Sequence, residues 1–411
     1  MKLDPKFQPW MRSAEVQAVL AALGGEARFV GGAVRNALMN RPIDDVDLAT
    51  PLTPDVVMQK LRAADINAVP TGIEHGTVTA VTNGQTFEVT TLRRDVSTDG
   101  RRAVVAFTTD WKEDASRRDF TMNALYANTD GELFDYFGGL DDLKARHVRF
   151  IGDATQRIRE DYLRILRLFR FHAWYGTGEI DAEALRASAA EKAGLAQLSG
   201  ERISKEMLKL LAADEPVPVL RVMAASGILS EVLPGELNFT RLEKLAANDA
   251  DAFLTPDPLL RLVALLPSDP AAAEALAARW RLSNAQSDRL TDVAGAREKI
   301  VSYLSVKEVR RLLYRLGPAR MRDRLYIKWA EDPKVGNVMQ WRALIAMADD
   351  HWPKPQFPLT GRDVMLAGVP QGPLVGEIMK EVEDWWIDAD FIEDEFSIAE
   401  RLKAVVQATA Y

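Results

Sequence analysis

The stretch FVGGAVRNALMNRPIDDVDLAT, residues 29–50, decides the fold of the first part of the chain. An apolar run ends at Gly31 and Gly32, and an amphipathic segment follows, which predicts a strand, a tight turn and a helix. Asp45 and Asp47 then stand one residue apart in a short apolar strand. Carboxylates in such a strand are costly unless something binds them. The stretch therefore predicts a ligand site where a strand meets a helix.

The two glycines predict a phosphate-binding turn. Their backbone can approach a ligand closely, the N–H groups of the following helix start can face a phosphate, and Arg35 adds positive charge one turn later. A plain strand-to-helix turn is the alternative, and for a lone pair of glycines it is the better interpretation.

The carboxylates favour the ligand site. Residues i and i+2 of a strand share a face, so Asp45 and Asp47 repel each other unless a cation lies between them. Oxygen ligands of this kind suit Mg²⁺, and two such ions about 3.5–4 Å apart can activate a hydroxyl and hold a leaving pyrophosphate. Glu88, on a predicted neighbouring strand, is the candidate for a third catalytic carboxylate. An exposed acidic strand end, with Glu88 facing solvent, is the alternative.

Two further motifs carry polar groups suited to a nucleotide. In ASRRDFTMNALY, Arg118 can neutralise a triphosphate, Asp119 can orient Arg118, and Asn123 can contact a ribose or phosphate. In REDYLRILRLFRF, Asp161 and Arg164 are expected on one helix face, where together they present the hydrogen-bonding edge of a base. Taken alone, a charged helix start and an intrahelical salt bridge explain these motifs better.

Composition predicts a multidomain globular protein and is compatible with a reducing compartment. The chain has 411 residues, 47% of them hydrophobic, no cysteine and a net charge of −8. Disulfides and thiol catalysis are therefore excluded. We find no signal-peptide core and no apolar run of the ~20 residues that a membrane span needs, so we expect a cytoplasmic protein without a membrane segment. The acidic balance argues against a uniformly basic nucleic-acid coat but allows local basic surfaces.

The hydrophobic patterns predict an α+β fold. ARFV, DDVDLA, GTVTAV and TFEVTTL are typical of strands, and HVRFIG predicts a last strand. Beyond about residue 153 the periodicity is helical throughout. We expect an α/β head at 1–150, a helical neck at 151–240, a helical body at 241–354 and a helical tail at 355–411.

These motifs, taken in order, resemble those of a known family. GGAVRN…DDVDLAT, SRRDFTMNALY, DYFGGLDDLKARHVRFIGD, REDYLRILRLFRF and ERISKEMLKLL are similar to the class II tRNA nucleotidyltransferases, the bacterial CCA-adding enzymes, whose head is shared with bacterial poly(A) polymerases. The resemblance covers roughly residues 27–211. It implies a polymerase-β-like nucleotidyltransferase head and template-independent, Mg²⁺-dependent addition of CMP and AMP to a tRNA 3′ end from CTP and ATP.

The resemblance also implies roles for individual residues. Asp45 and Asp47 are the implied metal ligands, and Arg202 lies in the neck segment that supports the base-selecting helix. The implied nucleotide-binding residues are Gly31, Gly32, Arg35, Arg118, Asn123, Asp161, Arg164 and Arg167. Family members usually carry Asp after the Arg of GGxVR, whereas this chain carries Asn36, which keeps shape and hydrogen bonding but loses the charge. The segment from Arg93 to Trp111, with Gly100, resembles the family's flexible loop; a plain hairpin is the alternative.

A basic segment in the second half of the chain predicts where tRNA binds. The segment from Lys307 to Lys328 has eight basic and two acidic residues, which suits salt-sensitive phosphate contacts. Its expected RNA-binding residues are Arg310, Arg311, Arg315, Arg320, Arg322 and Arg324. A solvated basic helix face is the alternative.

Several functions stay open on the sequence alone. A poly(A) polymerase is disfavoured because we find no GRRF-like element and no basic tail; between Glu377 and Glu400 stand ten acidic residues and one lysine. The sequence also allows an enzyme that adds only C or only A, an RNA-binding protein with an inactive head, and an enzyme that transfers a nucleotide to a small molecule or protein. It does not indicate the oligomeric state.

Overall fold

A computed structural model of the chain describes residues 2–99, 102–233, 235–251, 254–349, 352–392 and 394–409. These residues form two compact units. Unit 1 comprises 1–235 with 256–258 and 278–282, and unit 2 comprises 236–255, 259–277 and 283–411. The division into head, neck, body and tail stays a prediction.

The described strands all lie in the first third of the chain. They are β1 Arg28–Val30, β2 Asp47–Thr50, β3 Asn67–Gly72, β4 Thr77–Thr82, β5 Gln85–Thr91, β6 Arg93–Asp99, β7 Arg102–Phe107, β8 Leu125–Ala127 and β9 Leu133–Asp135. Seven of them form one sheet in the order β3-β4-β5-β2-β1-β8-β9, and β6 pairs with β7 in a separate hairpin. The β2–β5 pairing is parallel, whereas the other pairings of the large sheet are antiparallel.

The described helices run through the whole chain and make up its regular structure after β9. In order, α1–α7 are Ala14–Ala22, Gly32–Leu38, Pro54–Ala63, Trp111–Ser116, Gly139–Lys144, Ala154–Glu160 and Leu163–Tyr175. Helices α8–α14 are Ala182–Glu191, Gly200–Leu211, Val217–Ala225, Leu229–Val232, Phe239–Asp251, Pro258–Leu265 and Pro270–Trp280. Helices α15–α21 are Asn284–Ala294, Val306–Leu316, Pro318–Glu331, Val338–Asp349, Gly361–Leu366, Pro373–Asp388 and Glu395–Thr409. The predicted α+β class, with a mixed head followed by helices, is confirmed.

Packing of small and aromatic residues fixes the central strands of the sheet. Val30 of β1, Ala49 of β2 and Tyr126 of β8 are buried in one cluster with Leu92 and Ile151. Burial of this apolar surface stabilises the sheet edge at which β1 ends and α2 begins. The position of the glycine turn is therefore set by the core beneath it.

The predicted last strand is wrong. In the segment HVRFIG, Phe150 makes only an isolated bridge to Phe120. The two rings stack with centroids 4.9 Å apart, so this apolar segment packs through side chains instead of extending the sheet.

The hairpin of β6 and β7 falls on the segment that resembles the family's flexible loop. Its strands pair in antiparallel register from Arg93 opposite Phe107 to Asp99 opposite Arg102. Gly100 lies outside the described residues. Whether this hairpin moves stays a prediction.

Unit 2 has a helical core. Trp341 of α18 and Trp329 of α17 are buried together with Val309 and Leu313 of α16. In the described part of the chain, no helix combines the length and the apolar character that crossing a membrane requires.

Candidate functional site

A glycine turn at the end of β1 opens the site. Gly31 has φ +67°, a conformation that L-residues rarely adopt, and a Cβ there would lie 3.6 Å from Nη1 of Arg118 and from the carbonyl oxygen of Asn123. The backbone conformation therefore favours glycine at this position, and the bare turn leaves room beside Arg118. Helix α2 starts directly afterwards and places Arg35, which is buried, on the same side.

The two aspartates straddle the start of β2. The strand begins at Asp47, and Asp45 lies in the preceding coil, exposed, so the prediction that both stand within the strand is wrong. The parallel register sets Asp47 beside Glu88 of β5. Burial, followed by the charges of Glu88 and Asp45, raises the pKa of Asp47 to about 6, against the opposing effect of Arg118.

The carboxylates of Asp45, Asp47 and Glu88 show whether a divalent cation suits this site. Within the described residues, no set of three or more His, Cys, Asp or Glu side chains is arranged as a metal site. Asp47 nevertheless carries a half-buried carboxylate crowded by two others, and a divalent cation would relieve that repulsion. The donor set therefore fits a hard cation held by Asp45 and Asp47, with ligands also supplied by a substrate or water.

A buried carboxylate that the sequence analysis missed organises the arginine pair. Asp114 of α4 contacts Nη2 of Arg117 at 2.9 Å and Nη2 of Arg118 at 3.2 Å. The hydroxyl of Tyr126 and the backbone N–H of Arg93 donate to the same carboxylate at 2.7 and 3.2 Å. Burial opposes the charge of Asp114, but the two arginines and Tyr126 outweigh it and lower its pKa. Asp114 precedes Arg117 and Arg118 by three and four residues, the spacing at which side chains of a helix pair, and this spacing is the signal that could have identified it.

Asp119 does not orient Arg118, contrary to our prediction. Its Oδ2 accepts from Nε of Arg167 at 2.7 Å, and its Oδ1 accepts from Nδ2 of Asn123 at 3.1 Å. Burial opposes its ionisation, yet Arg167 and Asn123 prevail and lower the pKa of Asp119 to about 2. Asn123 in turn accepts from Nη1 of Arg35 at 2.5 Å. A hydrogen-bonded chain thus runs from α2 to α7.

The predicted base-reading pair is arranged differently from our expectation. Asp161 lies between α6 and α7 with φ −157°, so Asp161 and Arg164 do not share a helix face. Asp161 accepts from the N–H of Leu163 at 3.1 Å and from Nη2 of Arg202 at 2.7 Å. Nη1 of Arg164 donates to Glu160 at 2.5 Å. The predicted support of this segment by Arg202 is present as a direct contact.

One cleft of about 460 Å³ brings all eight predicted nucleotide-binding residues together. Its lining comprises Gly31, Gly32, Arg35, Asp47, Arg117, Arg118, Asp119, Asn123, Asp161, Leu163, Arg164, Arg167, Phe171 and Arg202. Asp45 and Glu88 are outside this lining. Six guanidinium groups face three carboxylates, so the cleft suits a polyanion.

The expected RNA-binding arginines in unit 2 are mostly paired with acidic residues. Arg310, Arg311 and Arg315 of α16 contact Asp390, Asp388 and Asp384 at 3.1, 2.8 and 2.9 Å. The acidic C-terminal segment, whose role the sequence did not indicate, therefore neutralises part of this helix.

Two more of these arginines share a carboxylate on α15. The Arg320 side chain is 61% exposed and lies 3.6 Å from Asp292, whereas that of Arg324 is 5% exposed and lies 2.8 Å from Asp292 and 2.9 Å from Glu298. The prediction that Arg324 belongs to an RNA-facing surface is wrong, because the side chain is buried between two carboxylates. Arg322 is exposed, and its role stays a prediction.

Comparison with known proteins places this architecture in a family. Residues 27–149 match the family model described as "Poly A polymerase head domain", and residues 179–238 match "Probable RNA and SrmB- binding site of polymerase A". "CCA tRNA nucleotidyltransferase 1, mitochondrial" of Mus musculus is 34% identical, covering 94% of this chain and 89% of that protein. "CCA-adding enzyme" of Levilactobacillus brevis is 31% identical, covering 93% of this chain and 95% of that protein.

A solved structure agrees over nearly the full length. The Bacillus stearothermophilus CCA-adding enzyme in complex with CTP superposes with a TM-score of 0.77 and 28% identity, covering 99% of both chains. The relatives, the fold and the cleft lead to one conclusion: this chain belongs to the family of CCA-adding enzymes, the CCA tRNA nucleotidyltransferases.

Proposed function

We propose that this chain adds CCA to the 3′ end of tRNA from CTP and ATP, without a nucleic-acid template, and releases pyrophosphate. The observation that carries the proposal is the cleft of unit 1, where Asp47 stands beside the glycine turn and six arginines converge. The names of the full-length relatives support tRNA as the acceptor. The CTP complex of the structural relative supports CTP as a substrate.

The arginines are suited to bind and orient the triphosphate. Arg117 and Arg118 are held by Asp114, and Arg35 is held by Asn123, so their positions are set before a nucleotide arrives. Preorganised cations bind the phosphates without a further cost of ordering and stabilise the charge that develops on the leaving pyrophosphate.

Asp45 and Asp47 are the residues that would hold a divalent metal, which we propose to be Mg²⁺. When bound there, such an ion lowers the pKa of an attacking hydroxyl and neutralises phosphate charge. Glu88, beside Asp47, adds negative charge next to this pair and increases the attraction for the cation.

Asp161 and Arg164 are suited to select the base from the same cleft. Both hydrogen bonds that the Arg164 side chain makes with described residues come from Nη1, so Nε and Nη2 keep donor capacity for a base. Arg202 fixes the carboxylate of Asp161, which limits the bases that the pair can recognise.

The acceptor tRNA is expected to contact exposed cations rather than buried ones. Arg310, Arg311, Arg315 and Arg320 are each exposed by about one-third or more and are available for phosphate contacts that compete with their acidic partners. The matched region 179–238 is a further candidate surface. The cytoplasmic location also stays a proposal, since one of the relatives is named mitochondrial.

The test uses a tRNA transcript without its 3′ CCA, Mg²⁺, and each nucleoside triphosphate singly and then together. Sequencing of the product ends is expected to show CCA followed by arrest. A poly(A) polymerase, which the name of the head-domain model keeps as the second candidate, would instead produce a long A tail, including on unrelated RNA. Addition of only C or only A would indicate a specialised enzyme.

A further inference from the structure

The side chain of Asn36 connects helix α2 with the coil that follows this helix. It follows Arg35 in α2, and its side-chain oxygen accepts from Nε and Nη2 of Arg35 at 3.1 and 2.9 Å. Its side-chain nitrogen donates to the carbonyl oxygen of Pro42 at 2.8 Å. One amide group therefore joins the phosphate-facing arginine to the coil that leads to Asp45.

Besides Asn36, two side chains accept hydrogen bonds from the guanidinium group of Arg35. Its Nη1 donates to Asn123 and its Nη2 donates to the hydroxyl of Tyr175 at 2.8 Å. All these partners are uncharged, so the guanidinium is positioned with its full charge directed at the cleft. A carboxylate in place of Asn36 would hold the same two N–H groups but would neutralise that charge.

The second bond depends on the amide as well. At neutral pH a carboxylate has no proton to donate to Pro42, so only the amide can make both contacts at once. The segment 39–46 otherwise lacks regular structure, and its backbone is tied to α2 by the N–H of Arg41, which donates to the carbonyl oxygen of Asn36 at 2.9 Å. Asn36 thus anchors this segment through both its backbone and its side chain.

We propose that Asn36 is a positioning residue for nucleotidyl transfer, which holds Arg35 without neutralising it and fixes the coil that carries Asp45. This inference rests on the proposed function of the cleft. Compared with an Asp at this position, Asn36 leaves the charge of Arg35 undiminished. It also connects this arginine, through one amide group, to the coil that carries Asp45.

The test compares Asn36→Asp and Asn36→Ala with the wild type. Asn36→Asp keeps the bonds from Arg35, loses the bond to Pro42 and adds a charge, whereas Asn36→Ala loses all of these bonds. Asn40→Asp makes the same charge change on an exposed residue of the same coil, with φ +52°, which Asp tolerates. CTP affinity is measured by calorimetry without tRNA, and mobility of residues 39–46 by amide hydrogen exchange.

We expect both Asn36 variants to exchange amide hydrogens in 39–46 about tenfold faster than the wild type, the effect of one lost hydrogen bond. We expect CTP to bind about five- to tenfold more weakly to Asn36→Asp, because Arg35 is neutralised. Asn40→Asp is expected to stay within about twofold of the wild type in both measurements.

Two results would overturn the role of Asn36. One is exchange and CTP affinity within about twofold of the wild type in both Asn36 variants; the other is a lowered melting temperature with unchanged CTP affinity, which indicates a purely structural role. Neither measurement depends on turnover. A wild-type enzyme that binds CTP but adds nothing to tRNA would contradict the proposed function instead, so the two failures are distinguishable.

Discussion

Asp119 and Arg167 form a tight ion pair that joins the SRRDF motif to helix α7: Oδ2 of Asp119 lies 2.7 Å from Nε and 2.5 Å from Nη2 of Arg167. The other carboxylate oxygen accepts from the N–H of Phe120 and from Asn123. Both oxygens of the carboxylate therefore have partners, and the ion pair ties the SRRDF motif to α7.

The pair predicts a pH-dependent contribution to stability. The pKa of Asp119 is lowered from 3.8 to about 2, so the ionised carboxylate stabilises the fold above pH ~4 and this contribution is lost as the pH falls towards ~2. We expect Asp119→Asn to lower the free energy of unfolding by about 2 kcal/mol at pH 7 and by about half as much at pH 3.

Urea unfolding at several pH values measures this difference. Asp141→Asn serves as the control, because the Asp141 side chain is 88% exposed in a surface pair with Lys144. A difference between wild type and Asp119→Asn that stays constant from pH 7 to pH 3 would contradict the assignment.

We expect substitution of Asp114 to weaken nucleotide binding, although Asp114 does not line the cleft. Asp114→Asn removes the charge that holds Arg117 and Arg118, so we expect kcat/KM for CTP to fall by about 10- to 100-fold, mainly through KM. Asp110→Asn is the matched control on the same helix, since Asn caps a helix as well as Asp does. Equal kinetics for both variants would show that Asp114 does not organise the arginines.

Arg164 predicts a specificity effect. Arg164→Ala removes a donor that faces the cleft, so we expect discrimination among the four triphosphates to fall by about tenfold while tRNA affinity changes little. Arg186→Ala, which alters an exposed arginine of α8, is the control. Single-nucleotide incorporation measures the selectivity, and unchanged selectivity would reject the role of Arg164 in base selection.

Substitutions of Arg320 and Arg324 allow the effect of an exposed charge to be compared with that of a buried ion pair. Both contact Asp292, but their side chains are 61% and 5% exposed. We expect Arg324→Ala to destabilise unit 2 by about 2–4 kcal/mol, because Glu298 loses its contact with Arg324 and Asp292 keeps only the longer contact with Arg320. We expect Arg320→Ala to leave stability unchanged but to weaken tRNA binding about twofold and to reduce its salt dependence.

Thermal unfolding, together with tRNA binding at two salt concentrations, measures the different effects expected for the two variants. A destabilised Arg320→Ala, or a fully stable Arg324→Ala, would contradict the structural assignment.

The sequence predicted the parts of the site that short-range patterns determine. The turn at Gly31 follows from local chemistry, and the strands β1, β2, β4 and β5, including the placement of Asp47 in β2, follow from apolar patterns. The break at Asp161 was missed because the flanking residues are good helix formers; a side-chain bond to Leu163 and a distant arginine, Arg202, decide the conformation there.

Long-range ion pairs account for the difference at α16. Asp384 and Asp388 of α20 neutralise this helix from about 70 residues further along the chain, whereas the pairing of Asp114 with Arg118 is local. Partners as distant as those of α16 leave no periodic trace in one sequence, so the arginines of α16 and α17 were interpreted as a basic surface.

The most direct test of the cleft as the site of nucleotidyl transfer measures CMP incorporation into tRNA lacking CCA by the wild type, Asp47→Asn and Asp44→Asn. Asp44 is an exposed aspartate of the same segment and outside the cleft lining, so it controls for charge. We expect Asp47→Asn to stay folded, with a melting temperature in EDTA no lower than that of the wild type. We expect it to incorporate CMP at least about 100-fold more slowly, while Asp44→Asn incorporates it normally. Incorporation by Asp47→Asn near the wild-type rate would contradict the assignment of this cleft as the site of nucleotidyl transfer.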